Sequence, residues 1–248
     1  MYAEVEGGGE KMRLKLSMEL ENENLPIQYR RNVISFIKLS LSQYDEESYK
    51  KYYNNKDNII KPYTFSVFFR YPQFKENIII IKDRKIEINF SIAEYDAAII
   101  LYNAFNHQKN NKFSLDKNSW TLKNISIMHE KDIDQEEAVI KFMSPLVVRE
   151  RIDKKDYYYS YSSDNFLKQL KNNIKEQLKI SNLPLEVVDD FNIEAVQAKK
   201  VIVKFYEKKI ETSTGIFRIT GDKQLLNYLY QAGIGSKRSS GFGMFKIL

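Results

Sequence analysis

Cysteine is absent from this chain of 248 residues, and glycine, proline, histidine and tryptophan number only 9, 5, 2 and 1. Without cysteine there can be no disulfide, thiolate zinc site, iron–sulfur cluster or cysteine nucleophile. Two histidines do not make an imidazole-rich metal site, so we expect no metal and no cofactor. No apolar run reaches the length of a membrane-spanning helix, and no signal-peptide pattern opens the chain. We therefore expect a cytoplasmic protein with no membrane partner.

Aromatic residues and positive charge are abundant. The 17 tyrosines and 15 phenylalanines, within an apolar fraction of 43%, predict a compact globular core. The net charge is +6, and residues 201–248 hold eight basic but only three acidic side chains. A positive field concentrated at one end of the chain favours a polyanionic partner.

The first eleven residues differ from the rest of the chain. They include the run Gly7-Gly8-Gly9, which is typical of a linker. We expect residues 1–11 to be disordered or to be an addition to the natural sequence, which would then start at Met12.

Apolar periodicity predicts the same order of elements in both halves of the chain. Leu14, Leu16 and Leu20 alternate with polar residues, as in a half-buried strand, and later segments switch to helical spacing. The order strand, helix, two strands, helix, strand is that of a ferredoxin-like unit. We therefore predict an α+β fold of two tandem ferredoxin-like (RRM-like) domains, 12–130 and 131–248, each an antiparallel sheet with helices on one face.

The predicted elements cover most of the chain. Strands are predicted at 12–20, 65–69, 78–81, 86–90, 120–128, 138–143, 198–205, 210–219 and 244–248. Helices are predicted at 29–43, 46–53, 93–106, 164–180 and 222–231. The turn residues between 78–81 and 86–90 favour a hairpin of these two strands.

A glycine loop near the C-terminus is the most informative segment. Four of the nine glycines, Gly233, Gly235, Gly241 and Gly243, lie within eleven residues and flank adjacent basic residues at 237–238. Glycine permits positive φ and the close approach of another backbone, so successive amides can point at one anion. One interpretation is a loop that holds a nucleic-acid backbone, with Lys237 and Arg238 adding charge. The other is a flexible turn with solvated charges.

The segment from Arg149 to Tyr161 interleaves basic and aromatic residues. Cations track phosphates, and aromatic faces stack on unpaired bases. We therefore predict an Arg/Tyr-rich loop that binds RNA, with Arg149 as the best single candidate and Arg151, Lys154 and Tyr157 beside it. The alternative is that the tyrosines of this segment form a strand packed partly into the core.

The spacing of the four glycines, with Ile234 and Phe242 in the apolar positions, resembles the C-terminal signature of the CRISPR repeat-processing endoribonucleases of the repeat-associated (RAMP) superfamily (Cas protein six family). Three further segments are similar to that family: the start at 12–16 followed by Leu25-Pro26, the run KPYTFS at 61–66, and SPLVVR at 144–149. The resemblance spans 12–248 in motif order.

This resemblance implies two ferredoxin-like domains and metal-independent cleavage of the CRISPR precursor transcript within each repeat. The 2′-hydroxyl would attack the adjacent phosphate and leave a 2′,3′-cyclic phosphate and a 5′-hydroxyl. Such chemistry needs a base, an acid and a cation for the phosphate. The expected partner is CRISPR repeat RNA in precursor crRNA, with an effector complex as a further candidate, and the expected state is a monomer or homodimer. The expected RNA-binding residues are Arg149, Arg151, Lys154, Tyr157, Gly233, Gly235, Lys237, Arg238, Gly241 and Gly243.

The sequence departs from the family where catalysis is expected. Well-known members draw a Tyr–His–Lys set from the first helix and the loop before the KPxTFS-like segment. Lys61 matches the lysine, Phe36 stands where the tyrosine would be, and residues 48–55 contain no histidine.

Three interpretations of the catalytic site stay open. In the first, residues of the second helix and Lys61 replace the imidazole, acting mainly through charge; the candidates are Lys50, Lys51, Tyr52, Tyr53 and Lys61, and the leading set is Lys51, Tyr52 and Lys61. In the second, His107 or His129 reaches the site from elsewhere in the fold. In the third, the protein binds repeat RNA without cutting it and is a subunit that delivers guide RNA. A ferredoxin-like module unrelated to CRISPR would be expected to carry RNP-type aromatic motifs, and none is present.

Overall fold

The computed structural model describes residues 12–53, 59–115, 117–128, 130 and 132–248. We call the part of the chain up to residue 128 the N-lobe. Its helices are α1 (Tyr29–Tyr44), α2 (Glu46–Tyr53) and α3 (Tyr95–His107). Its strands are β1 (Met12–Leu20), β2 (Asn24–Pro26), β3 (Tyr63–Phe69), β4 (Gln73–Phe74), β5 (Ile78–Ile80), β6 (Lys85–Ile92), β7 (Lys112–Ser114) and β8 (Ser119–Met128). The expectation for residues 1–11 lies outside the described residues.

We call the part from residue 132 onward the C-lobe. Its helices are α4 (Phe166–Leu178) and α5 (Lys223–Ala232), with short 3₁₀ turns at Leu185–Val188 and Arg238–Ser240. Its strands are β9 (Glu137–Phe142), β10 (Val148–Ile152), β11 (Lys155–Tyr159), β12 (Asn192–Phe205), β13 (Lys208–Thr220) and β14 (Phe245–Ile247).

The two main sheets share one topology. In the N-lobe the strand order is β3-β6-β1-β8-β7, and in the C-lobe it is β12-β13-β9-β14, with every pair antiparallel. In both lobes the first strand of the unit lies between the third and the fourth, which is the ferredoxin-like order. The predicted fold class is therefore confirmed.

Alternating side chains explain why each sheet carries its helices on one face. In β1, Leu14 and Leu16 point into a core shared with Val33 and Ile37 of α1, and the intervening residues point to the other face. A separate core in the C-lobe packs α4 and α5 against β9 and β13. No helix within the described ranges is long and apolar enough to cross a membrane.

The hairpin predicted between 78–81 and 86–90 is wrong. β6 pairs with β1 and β3, whereas β5 pairs with β2 and β4 in a separate three-stranded sheet. The turn does form, since the Lys85 amide donates to Asp83 Oδ1 at 3.2 Å, but it sends the two apolar strands to different partners. Both strands are rich in isoleucine, so their apolar pattern does not tell which partner each will choose.

Side chains of the N-lobe hold backbone carbonyls of the C-lobe at the lobe junction. The buried Arg13 donates to the carbonyls of Tyr230 at 2.8 Å and Phe245 at 2.9 Å. Thr64 Oγ1 donates to the Phe242 carbonyl at 2.8 Å, and Arg30 Nε donates to the Gly241 carbonyl at 3.1 Å. The junction therefore brings the C-terminal glycine loop against α1 and β3.

Candidate nucleic-acid interface

Two lysines lie over one tyrosine ring on the N-lobe side of the junction. Lys38 Nζ is 5.1 Å and Lys61 Nζ 4.7 Å from the centroid of the Tyr53 ring. The Tyr53 hydroxyl is 2.6 Å from the hydroxyl of Tyr63, which is completely buried. We call Lys38, Tyr53, Lys61 and Tyr63 the lysine seat. The Tyr63 contact fixes the ring, and the ring in turn keeps both ammonium groups within a few ångströms of its face.

The local sequence explains how these side chains meet. Lys38 is a lone cation in the apolar stretch of α1, where Ile37 and Leu41 are buried in the core. Tyr53 is the last residue of α2, and Lys61 precedes the buried Pro62, which leads into β3. Proline restricts the conformation of the residue before it to an extended one. Lys61 is thereby held at the start of β3 and is half-buried.

The electrostatics of the lysine seat favour an anion. Burial, together with the nearby charge of Lys38, lowers the pKa of Lys61. Burial also raises the pKa of Tyr53, which therefore remains a neutral phenol at pH 7. Within the described ranges no carboxylate forms an ion pair with Lys38 or Lys61. Two neighbouring cations without an acidic partner attract a phosphate and are stabilised by it.

Of the predicted catalytic set, only Lys61 lies in the lysine seat. Tyr52 packs into the N-lobe core with 3% of its surface exposed, and burial raises the pKa of its hydroxyl to about 12. Lys51 is exposed, with its Nζ 5.5 Å from the centroid of the Tyr52 ring. Successive helical residues point about 100° apart, so α2 turns Tyr53 to the seat and Tyr52 into the core. Tyr52 therefore lies in the core and Lys51 on the surface beside it, so α2 brings neither side chain into the lysine seat.

The other candidates for the missing family residues lie away from the seat or outside the described chain. Phe36 is buried and stacks on Phe105 with ring centroids 5.8 Å apart. His107 is exposed at the end of α3, with Nδ1 3.4 Å from Gln108 Nε2. His129 lies outside the described residues. No group of three or more His, Cys, Asp or Glu side chains suited to a metal was found in the described part of the chain.

A second cluster of cations lies on the C-lobe side. Arg149 Nη1 is 3.5 Å from Asp156 Oδ1, and Lys208 Nζ is 3.6 Å from Asp156 Oδ2. Burial alone would raise the pKa of Asp156, but Arg149, Lys208, Lys237 and Arg151 together outweigh it and lower that pKa. We call these four cations the basic cluster. With a single ionised carboxylate between them, they keep a net positive charge.

The segment predicted as an Arg/Tyr-rich loop forms the hairpin β10–β11. Its register pairs Arg149 with Tyr158, Arg151 with Asp156, and Glu150 with Tyr157. Directly paired residues share a face, as do residues two apart on one strand, whereas successive residues point to opposite faces. Arg149 and Arg151 therefore lie on one face and Tyr157, which is 46% exposed, on the other. Lys154 is exposed in the turn. The hairpin thus separates side chains that the sequence analysis grouped on one RNA surface.

The glycine loop is packed between the lobes, which corrects the expectation of a flexible cationic turn. Gly241 has φ +84°, and a Cβ there would come within 2.5 Å of Phe65 Cε2. A Cβ on Gly243 would overlap the carbonyl of Ile234. Gly233 and Gly235 likewise face Thr64 and Val147. The glycines therefore permit close packing against the N-lobe and within the loop.

The two adjacent cations of this loop have different surroundings. Arg238 is buried and its Nη1 donates to the Ala232 carbonyl at 2.7 Å, at the C-terminus of α5. The prediction of Arg238 as an RNA contact is therefore corrected to a structural role, because its guanidinium satisfies a helix end. Lys237 is half-buried, with Nζ 5.4 Å from the centroid of the Phe205 ring and close to the basic cluster. Burial and the neighbouring cations lower the pKa of Lys237.

The tip of the β12–β13 hairpin lies between the lysine seat and the basic cluster. Tyr206 has φ +51° and is 45% exposed, and the guanidinium carbon of Arg31 lies 4.9 Å from its ring centroid. Tyr206 is also close enough to Tyr53 to act on the pKa of that phenol. Cations and aromatic rings thus run from α1 to β10–β11 across both lobes. Lys38, Arg31, Tyr206 and Lys208 were not among the predicted site residues, and for Lys38 the available signal was a lone lysine in an apolar helix.

The sequence of this chain is similar to sequences of known proteins. Residues 128–247 match the family described as CRISPR associated protein Cas6, C-terminal. The CRISPR-associated endoribonuclease-like protein Cas6 of Pyrococcus furiosus is 27% identical over 75% of this chain and 80% of its own. The CRISPR-associated endoribonuclease-like protein Cas6nc of Pyrococcus horikoshii is 25% identical over 96% of this chain and 99% of its own. The C-terminal half of the chain is a Cas6 C-terminal domain, and the chain as a whole is similar to Cas6 proteins.

Three further comparisons describe how far the similarity to Cas6 proteins extends. The CRISPR-associated endoribonuclease Cas6 1 of Methanocaldococcus jannaschii is 27% identical, and the matched region spans 43% of each chain. The structure of a Cas6-related gene product from Pyrococcus furiosus superposes with a TM-score of 0.84, at 22% identity, over 96% of this chain and 98% of that one. A RAMP protein described as binding different RNA substrates superposes with a TM-score of 0.79, at 22% identity, over 96% of this chain and 99% of that one. The tandem ferredoxin-like fold is therefore that of Cas6 and RAMP proteins.

Proposed function

We propose that this protein binds CRISPR repeat RNA across the lobe junction and cleaves it without a metal ion. The observation that carries the proposal is the lysine seat, in which the ammonium groups of Lys38 and Lys61 lie over the ring of Tyr53 without an acidic partner among the described residues. The endoribonuclease names of the Cas6 relatives support RNA as the substrate.

In the proposed step, the 2′-oxygen forms a bond to the adjacent phosphorus and the bond from phosphorus to the 5′-oxygen breaks. The products are a 2′,3′-cyclic phosphate and a 5′-hydroxyl, and the proton lost by the 2′-hydroxyl is balanced by the proton gained by the 5′-oxygen. Lys38 and Lys61 stabilise the charge that accumulates on the phosphate. Tyr53 remains a neutral hydrogen-bond donor, because burial raises its pKa. Arg149, Arg151 and Lys237 hold the flanking backbone.

A second candidate function is RNA binding without cleavage, as a subunit that passes guide RNA to an effector complex. Two observations favour it. Phe36, at the family's tyrosine position, is buried in the core, and no imidazole lies beside Lys61 in the described part of the chain. Removal of one member of a catalytic set can abolish most of the activity.

One assay separates the two functions. Repeat RNA is incubated with the protein in EDTA, and the products are analysed for a 2′,3′-cyclic phosphate. Cleavage that is lost when the attacking 2′-hydroxyl is replaced by hydrogen supports the nuclease. Tight binding without product supports the binding subunit. Absence of both contradicts the proposed function.

A further inference from the structure

A small cavity beside the basic cluster combines aromatic walls with a carboxylate. Its volume is about 290 Å³, near the lower end of the range for ligand pockets. The walls are formed by Tyr158, Phe205 and Tyr206, and Asp156 lines the same space. Lys208, Lys237, Ile210 and a second acidic residue, the exposed Glu207, complete the lining. A space of this size and composition accepts one planar base with its phosphate near the lysines.

The carboxylate of Asp156 is poorly satisfied for a group that is only 12% exposed. Its contacts to Tyr158 Oη, Arg149 Nη1 and Lys208 Nζ measure 3.4, 3.5 and 3.6 Å. A charge-assisted hydrogen bond is about 2.7–2.9 Å long. The two oxygens therefore have acceptor capacity left, and the surrounding cations keep the group ionised and unable to donate.

We propose that this cavity holds one unpaired guanine of the bound RNA, with Asp156 accepting hydrogen bonds from the N1–H and N2–H groups of the base. Among the four RNA bases, guanine presents two adjacent N–H donors that match the two oxygens of a carboxylate. Stacking on tyrosine and phenylalanine is the usual way in which proteins hold an unpaired RNA base. The inference rests on the proposed function, because it names which base the RNA-binding surface reads.

The experiment measures binding of short oligouridines that carry one central guanosine, inosine or adenosine at constant salt. Inosine lacks the 2-amino group and so tests one of the two hydrogen bonds with unaltered protein. We expect the guanosine oligomer to bind about 5- to 150-fold more tightly than the adenosine oligomer, the range for a bidentate base contact, with inosine in between.

Asp156→Asn should change the two affinities in opposite directions. The preference for guanosine should fall to about that for inosine, because an amide offers one acceptor oxygen where the carboxylate offers two. Binding of the adenosine oligomer should tighten, because a negative charge has left a cationic surface. Glu150→Gln is the matched control: it removes one charge from the same hairpin, but on the opposite face, where Glu150 contacts Tyr159 and Gln169. It should keep the guanosine preference.

The outcomes separate this inference from the proposed function. Binding of all oligomers with equal affinity overturns the guanine cavity and leaves RNA binding intact. A guanosine preference that is undiminished in Asp156→Asn, or a preference for adenosine, also overturns it. No binding of any oligomer, together with no binding of repeat RNA, overturns both.

Discussion

The lysine seat and the glycine loop each place basic side chains at the lobe junction, but their surroundings differ. In the glycine loop, Arg238 is buried and donates to the last carbonyl of α5, so its charge belongs to the fold. In the lysine seat, Lys38 and Lys61 face an aromatic ring and have no acidic partner among the described residues. The comparison shows that a cation's partners, more than its place in a motif, decide whether it is free to bind RNA.

Gly241→Ala should have the largest effect, and it tests whether the glycine loop is packed. The new Cβ would lie 2.5 Å from Phe65 Cε2 at a φ of +84°. We expect the free energy of unfolding to fall by about 3–5 kcal/mol, and the Tm to fall by about 10 °C. Ser239→Ala in the same loop is the control for thermal unfolding. An unchanged Tm in Gly241→Ala would indicate that the loop is the flexible turn that its sequence also allows.

Lys61→Ala should slow RNA cleavage by about 10²–10³-fold, as for removal of one donor that stabilises transition-state charge. Single-turnover rates on repeat RNA measure the effect. Lys51→Ala, on the exposed surface beside Tyr52, should leave the rate nearly unchanged. Equal losses in both variants would return Lys51 to the catalytic set.

The pH profile sharpens the comparison of these lysines. Because burial and Lys38 lower the pKa of Lys61, the cleavage rate should fall as the pH rises through that lowered value, earlier than for an ordinary lysine. Lys61→Arg stays protonated over the whole range. A fall at the same pH in Lys61→Arg would assign the titration to another group.

Arg238→Ala and Lys237→Ala should separate stability from binding within one loop. Arg238→Ala leaves the carbonyl of Ala232 without its donor, and we expect a loss of about 2 kcal/mol in the free energy of unfolding. Lys237→Ala should change stability by less than about 0.5 kcal/mol, but should reduce the salt slope of RNA binding by about 1. If denaturation instead showed the loss of stability in Lys237→Ala, and salt titration showed the reduced slope in Arg238→Ala, the structure would be contradicted.

Tyr52→Phe should have the smallest effect. The buried hydroxyl of Tyr52 has no hydrogen-bond partner in the described structure, so its removal should leave the free energy of unfolding unchanged or raise it by up to about 1 kcal/mol. The cleavage rate should stay the same. A clear loss of cleavage in a folded Tyr52→Phe protein would show that this phenol takes part in the reaction.

The fold was predictable from the sequence because strand alternation and helix periodicity are local. Leu14 and Leu16 already indicate which face of β1 is buried, whatever strands lie beside it. Strand pairing is not local, and the β5–β6 hairpin was therefore predicted wrongly. Lys61 could be named from its motif, whereas Lys38 joins it from α1 only through the packing of α1 and α2. Arg238 was misassigned because its partner, the end of α5, is a backbone group that carries no sequence signal.

A double-mutant cycle of Lys38→Ala and Lys61→Ala, measured by single-turnover cleavage of repeat RNA in EDTA, tests the lysine seat most directly. If both ammonium groups act on one phosphate, the double variant should be slowed much less than the product of the two single effects predicts, because either loss already disables the seat. Multiplicative effects of the two substitutions, or single variants that cleave at the wild-type rate, would contradict the account.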